Sequence, residues 1–319
     1  MTTGRGRRSP GLKKMTNENK KNSAAADVQP VKGTSLWKDA WRRLLKNRMA
    51  VAGGALLILI ACAAILAPAL TPYAFDEIHL SDGNHPPSGD YPLGADHLGR
   101  DLLTRILYGG RVSLAVGIVA TFVSIIIGVS YGAAAGYLGG RADNIMMRFV
   151  DILYGLPFMF LVILMMVIFH NAPAEKKLYL LFIGLGAVQW LTMSRITRGQ
   201  TLSIKTKEYI MAARTSGAGA FRIVSRHVIP NLLGPVIVYA TLTVPAVMLE
   251  EAFLSFLGLG VQAPMASWGS LASDGRQSLD TYPWQMIFPG LALAITLFSL
   301  NFLGDGLRDA LDPQMKDQK

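Results

Sequence analysis

Long apolar runs without a charged residue alternate with polar connections along most of this chain. Six of them span residues 49–75, 112–140, 152–174, 178–194, 228–249 and 281–304. Most exceed the ~18 residues that a helix needs to cross a bilayer. The run 178–194 is the shortest. A further uncharged window, 252–273 (AFLSFLGLGVQAPMASWGSLAS), carries Gly, Pro, Gln and Ser through its middle. Its first half extends the fifth helix. The rest predicts non-helical backbone, which must pack in protein or lie outside hydrocarbon. The pattern therefore predicts an all-α membrane protein with six transmembrane helices, not seven.

Smaller periodic segments flank these runs. Residues 36–48 (LWKDAWRRLLKNR) place Leu36, Trp37, Trp41, Leu44 and Leu45 at helical spacing among basic residues, which predicts an amphipathic interfacial helix on anionic lipid. The first transmembrane helix is expected over 49–72 and a loop segment over 73–111. The end of that loop (HLGRDLLTRILYGG) aligns Leu98, Leu102, Leu103, Ile106 and Leu107, predicting an interfacial helix that feeds the second span.

Charge adds the orientation. Only 16% of the 319 residues are charged, against ~25% in soluble domains. The net charge of +10 resides in residues 1–48, where 13 basic residues face three acids. Residues 1–35 have almost no large apolar side chains and are expected to be a disordered basic tail. Electrostatic anchoring at the membrane, rather than nucleic-acid binding, is the reading for that tail. The connection 195–227 carries seven basic residues against Glu208, whereas 71–111 carries six acids and three arginines. Positive-inside bias and the parity of six spans agree in placing both termini in the cytoplasm and 73–111 outside. The basic start lies too far ahead of the first apolar run for a secretory signal.

Catalytic chemistry is missing. No G-x-x-x-x-G-K-[ST] phosphate loop occurs, so ATP is not bound in that manner. The histidines (His79, His85, His97, His170, His227) form no H-E-x-x-H pattern, and Cys62 is the single cysteine. Neither a metal site nor a disulfide framework follows. The expectation is a non-catalytic membrane protein, not an enzyme acting alone. Ionisable groups sit at span ends, as Asp151, His170, Glu250, Glu251 and Asp305. Glu250 and Glu251 have two readings, a carboxylate lining a substrate pathway or an interfacial acid satisfied by a neighbour.

The segment 207–231 (KEYIMAARTSGAGAFRIVSRHVIPN) is the most informative. Glu208–Ser216 predicts a short helix with an acid in its first turn, and Gly217 a C-terminal cap. A second short helix over 218–228 precedes Pro230, which suits the first turn of the fifth span. Ala212, Ala213, Gly217, Ala218 and Gly219 leave little bulk. Such a hairpin could seat in a partner's groove or be an ordinary surface turn.

This stretch resembles the EAA loop of ABC-transporter inner-membrane permeases, E-A-A-x3-G-x9-I-x-L-P. Ala212, Ala213, Gly217 and Pro230 match it, while Met211, His227 and Ile229 depart from it. Glu208-Tyr209 matches the E-Y start of the peptide branch. Four further blocks are similar to C-type permeases of the oligopeptide/dipeptide/nickel family: PLGADHLGRDLLTRILYGGRVSL (92–114), GGRADNIMMRFVDILYGLP (139–157), EEAFLSFLGLGVQAPMASWGSLASDG (250–275) and GDGLRDALDP (304–313). With TYPWQMIFPG (281–290), the later blocks look most like the oligopeptide branch.

The resemblance implies a type I ABC importer permease fold over 112–305 with a coupling loop at 195–230, and a cytoplasmic tail at 306–319. It implies a pore subunit for oligopeptide uptake across a bacterial cytoplasmic membrane. The implied partners are a second permease, two ATPase subunits carrying ATP and Mg, and an extracytoplasmic peptide-binding protein. No cofactor is implied on this chain. Dipeptide or nickel transport stays open within the family. A gradient-driven secondary transporter or channel, or a scaffold without transport, stays open outside it.

Overall fold

The computed structural model describes residues 36–311. The tail 1–35 and residues 312–319 lie outside the described residues. The described residues form twelve α-helices: α1 Leu36–Lys46, α2 Arg48–Ile65, α3 Ala67–Leu70, α4 Leu102–Leu138, α5 Gly140–Tyr154, α6 Phe158–Ile168, α7 Ala174–Ile204, α8 Glu208–Thr215, α9 Ala220–Ile223, α10 Ile229–Phe256, α11 Trp268–Arg276 and α12 Trp284–Leu311. Extended structure among the described residues is one bridge between Ala95 and Asp101.

Among the described residues, five helical stretches are long and apolar enough to cross a membrane. The run expected to form the third span behaves differently. It is split between α5 and α6, which meet at a 71° bend. Pro157 explains the break: it offers no N–H and disfavours the α conformation at Leu156. The 11-residue α6 is only ~16 Å long and cannot cross a ~30 Å core alone.

The packing shows what the bent pair does. Gly128, Gly132 and Gly136 of α4 face Met193, Ser194, Thr197 and Thr201 of α7. Positions rise together on both helices, so α4 and α7 run parallel. The chain must return along their length between them, and α5 and α6 do so. Asp143 meets Arg198, Asp151 meets Arg195, and Val162 packs near Leu181, Leu185 and Gly184. The pair descends α7 in antiparallel order.

Glycines at i, i+4 and i+8 let the α4 and α7 backbones approach closely, the small-residue packing common in membrane helices. Ser194, Thr197 and Thr201 on the facing side are fully buried.

Helix α4 begins ten residues before the apolar run it contains. Asp101 caps it, accepting from the Thr104 backbone N–H at 2.8 Å and from the Thr104 hydroxyl at 2.5 Å. The interfacial helix expected ahead of the second span is thus the first turns of α4 itself. At 37 residues the helix is ~55 Å long and overreaches the hydrocarbon. Helix α7 likewise outruns the window 178–194 at both ends. Its Arg195 and Arg198 are tolerated because α5 supplies their carboxylate partners.

The first apolar run ends as α2 plus the single turn α3, with Pro68 at the start of that turn. Residues 306–311, expected in a tail, continue α12. In α1, Ala40 and Leu44 bury against Ala50 and Ala310, while Trp41 and Leu45 stay exposed.

Two ends of the bundle can be told apart. At one end, Arg111 donates to the Ala64 and Ile65 carbonyls, Gln285 to Asn84 and the Ala95 carbonyl, and Trp268 to the Ile106 carbonyl. At the other, Gly306 packs on Ala50 and Leu44, and Lys205 donates to the Gly136 carbonyl at 2.8 Å. The start of α2, the end of α12 and the α8–α9 connection share this second end.

The segment leading into α4 is built around Asp96. It accepts from Arg100 Nε at 2.7 Å and from Arg105 Nη1 at 2.6 Å, with all three side chains buried. Burial pushes the Asp96 carboxyl up. The Arg105 charge, the Arg100 backbone N–H and the Arg100 charge outweigh that and hold it below the ordinary carboxylate value. Asp274 has the opposite balance: burial dominates over Arg105, Arg100 and His97 and raises it.

Candidate functional site

The hairpin between α7 and α10 is the first candidate. Helix α8 ends in a Schellman motif: the Gly217 N–H donates to the Arg214 carbonyl and the Ala218 N–H to the Ala213 carbonyl. Gly217 adopts φ +82°, where a β-carbon is disfavoured. Its surroundings are open, with no atom within 4 Å of an added Cβ. Steric crowding therefore does not select glycine there. Only the backbone angle demands glycine.

The expected second short helix is not separate. α9 passes through a π turn, Val224–Val228, straight into α10. The Ile229 N–H reaches back to the Val224 carbonyl. Pro230 has no N–H and would crowd the carbonyl four residues earlier, and the wider turn relieves that conflict. Residues 220–256 thus form one continuous helical rod of 37 residues.

The hairpin is fastened from below. Ile210 and Ile223 are fully buried with Val129, Met193, Val228 and Leu232, and Ala213 and Ala218 pack beside them. The outer side is the reverse. Glu208, Tyr209, Met211, Ala212, Gly217 and Pro230 are exposed, and Phe221 is 86% exposed. Of the matched small residues, Ala212 faces outward and Ala213 faces the bundle. The sequence reading missed the two isoleucine anchors and Phe221. Ile210 and Ala213 lie at i and i+3, a signal present in the sequence. The exposure of Phe221 has no local signal.

The adjacent acids Glu250 and Glu251 are separated by the 100° step of the helix. Glu251 is fully enclosed. It accepts from Ser255 Oγ at 2.6 Å and from Ser267 Oγ at 2.7 Å. Ser267 also caps α11, so Glu251 ties the end of α10 to α11 across the irregular segment 257–267. In this conformation its side chain reaches no open surface. Glu250 does face a cavity of about 420 Å³, lined also by Tyr154, Leu156, Gln189, Thr192 and Ala246. The bend between α5 and α6 opens this space. Among the described residues, no group of His, Cys, Asp and Glu is arranged to hold a metal.

Comparison with known proteins fits this architecture. Residues 124–317 match the family model of the binding-protein-dependent transport system inner membrane component, and residues 35–87 match the N-terminal TM domain of oligopeptide transport permease C. The chain belongs to this family of bacterial ABC-transporter permeases, as multi-pass proteins of the cytoplasmic membrane. Within it, the chain is a C-type permease of the oligopeptide and dipeptide group.

It is 49% identical to the oligopeptide transport system permease protein OppC of Escherichia coli K12, over 92% of this chain and 98% of that protein. It is 46% identical to the dipeptide transport system permease protein DppC of Bacillus subtilis 168, over 93% and 92%. A solved chain of the inward-facing MetNI methionine ABC transporter shares the fold, with TM-score 0.52 and 20% identity over 65% of this chain and 96% of that one.

Proposed function

We propose that this chain is one pore-forming subunit of an ATP-driven importer of oligopeptides. Relatives named for oligopeptide transport align over nearly the full chain. In this reading α5 and α6 together make the third of six spans, and the basic end of the bundle, with both termini, faces the cytoplasm. A second permease completes the pore and an extracytoplasmic binding protein delivers peptide. ATP and Mg act on two ATPase subunits.

The observation that carries the coupling role is the hairpin. Buried Ile210 and Ile223 hold it rigidly on the bundle while Tyr209, Met211, Ala212 and Phe221 face outward. An apolar exposed group on a firm base is suited to a partner's groove. We propose Glu208, Tyr209, Ala212, Ala213, Gly217 and Pro230 as the coupling loop, with Phe221 as its most projecting contact. Dipeptide import is the second reading, favoured by the similarity to the permease named for dipeptide transport.

Reconstitution with both ATPases, the second permease and the binding protein tests the proposal. ATP-dependent uptake of peptides of two to five residues should occur, and their relative rates separate the two readings. Uptake that follows an ion gradient without ATP would overturn the importer assignment.

A further inference from the structure

We propose that Glu250 is an ammonium-recognising residue on the peptide pathway, and that it favours passage of peptides with a free amino group. This rests on the reading of the chain as a pore subunit.

The cavity at the α5–α6 bend is walled largely by Leu153, Leu156, Val188 and Ala246. Its polar groups come from three helices: Tyr154 of α5, Gln189 and Thr192 of α7, and Glu250 of α10. The Thr192 hydroxyl lies 3.4 Å from the Tyr154 hydroxyl. Glu250 is the charged member of the lining. Nearby Arg195 does not offset it, because its guanidinium pairs with Asp151 at 2.7 Å and stacks 4.1 Å from the Tyr154 ring centre. With Glu250 ionised, the cavity is negative in an apolar frame.

The Glu250 carboxylate is held in place but left receptive. The Gln189 amide nitrogen reaches both of its oxygens, at 2.9 and 3.1 Å. A carboxylate can accept about four hydrogen bonds, and the described side chains give this one a single donor group. About two acceptor positions remain, and an ammonium can fill both with two of its three N–H donors. The neighbouring Glu251 differs in access rather than in saturation: two serine hydroxyls bind its Oε1, and its Oε2 is buried without a partner. The cavity volume of about 420 Å³ has room for the amino-terminal end of a peptide.

The test uses the complete reconstituted complex, with the binding protein loaded to saturation so that delivery does not limit uptake. One peptide is supplied with a free or an acetylated amino terminus, and a third form is acetylated but contains lysine. In the wild type the free form should be transported several-fold faster than the acetylated form. Glu250→Gln should slow the free form about tenfold, the scale of one hydrogen bond to a charged group. It should leave the acetylated form within about twofold and so abolish the preference.

Glu250→Asp keeps the charge and should keep most of the preference. Faster transport of the lysine form than of the plain acetylated form, lost in Glu250→Gln, would show that a side-chain ammonium serves too; the same advantage kept in Glu250→Gln would overturn the assignment to Glu250. Equal wild-type rates for free and acetylated peptide would overturn the proposal. So would a parallel loss of both in Glu250→Gln. If even the wild-type complex shows no ATP-dependent uptake, the pore reading itself fails and this proposal falls with it.

Discussion

Arg198 of α7 grips Asp143 of α5 with two short bonds, Nε to Oδ1 at 2.6 Å and Nη2 to Oδ2 at 2.7 Å. This fork fixes the start of the returning α5 to the helix it descends. Asp143 is buried and the Arg198 side chain is 33% exposed. Removing one partner from a fully buried pair costs ~3–5 kcal/mol, and access to water reduces that here to about 1–3 kcal/mol. Asp143→Asn should lower the melting temperature of the purified chain in detergent. Combined with Arg198→Gln, the two losses should be strongly non-additive; simple additivity would mean the pair is not a working contact.

Gly132 lies where the α4 and α7 backbones are nearest, and a Cβ there would meet the Ser194 carbonyl and the Thr197 side chain. Gly132→Leu should abolish stable packing, with the chain degraded or aggregated on extraction. Gly199 is a control on exposed helix surface, with open space around it. Gly199→Ala should be neutral or stabilise by up to ~1 kcal/mol. Monodisperse Gly132→Leu in size-exclusion chromatography would contradict the close approach.

Gly217 tests the hairpin through its backbone alone. At φ +82° a β-branched residue costs ~1–2 kcal/mol, enough to unwind the Schellman turn without touching the spans. Gly217→Val should uncouple ATP hydrolysis from peptide uptake at normal membrane levels. Gly217→Asn tolerates this conformation better and should stay closer to wild type. Met211→Glu, at an exposed site beside Glu208, should be tolerated. Full coupling in Gly217→Val would remove the hairpin from the coupling role.

Asp96 gives a pH dependence of defined sign. Its folded carboxyl is held below the ordinary value. Its stabilising contribution is therefore present above the unfolded carboxylate value near ~4 and is lost as pH falls through the lower folded value. Asp274 is raised in the fold, so its contribution runs the other way and weakens as pH rises. Asp96→Asn should reduce stability at neutral pH and flatten the acid limb of a pH-stability curve. An unchanged acid limb would exclude Asp96 as its source.

Sidedness can be read by cysteine labelling in a Cys62→Ala background. Ser81 and Lys207 are both exposed and stand at opposite ends of the bundle. Lys205 is less suitable, because its ammonium is engaged with the Gly136 carbonyl. An impermeant reagent applied to intact cells should reach Ser81→Cys and not Lys207→Cys. The reverse pattern would invert the proposed orientation.

The apolar runs made the helices legible, since absence of charge over a bilayer's thickness is a local property. The ends were less so. Charge interrupted the window at Arg195, yet α7 continues because Asp151 and Asp143 come from 44 and 55 residues earlier in the chain. The 71° bend was written in Gly155 and Pro157, but an uncharged run conceals a break that only backbone chemistry dictates. Glu250 and Glu251 read as a pair in one dimension, and helical rotation sends them to different neighbours. The cap at Gly217 was visible from residue type, whereas the anchoring by Ile210 and Ile223 depends on distant Val129 and Met193.

The π turn at Val224–Val228 has a mechanical consequence. A flexible linker at that point would damp any force applied at Phe221. Instead the rod from Ala220 to Phe256, ~55 Å long, acts as a lever, and a tilt of ~5° at one end displaces the other by about 5 Å. Give along it is concentrated at Pro235 and Pro245, where the ring leaves the carbonyls of Asn231 and Thr241 without their helical donors. Glu250 lies beyond both joints. On the proposed coupling role, a stroke begun at the hairpin would arrive at the cavity as a change in the spacing between Glu250 and Gln189, and that 2.9 Å contact would gauge where the transporter stands in its cycle.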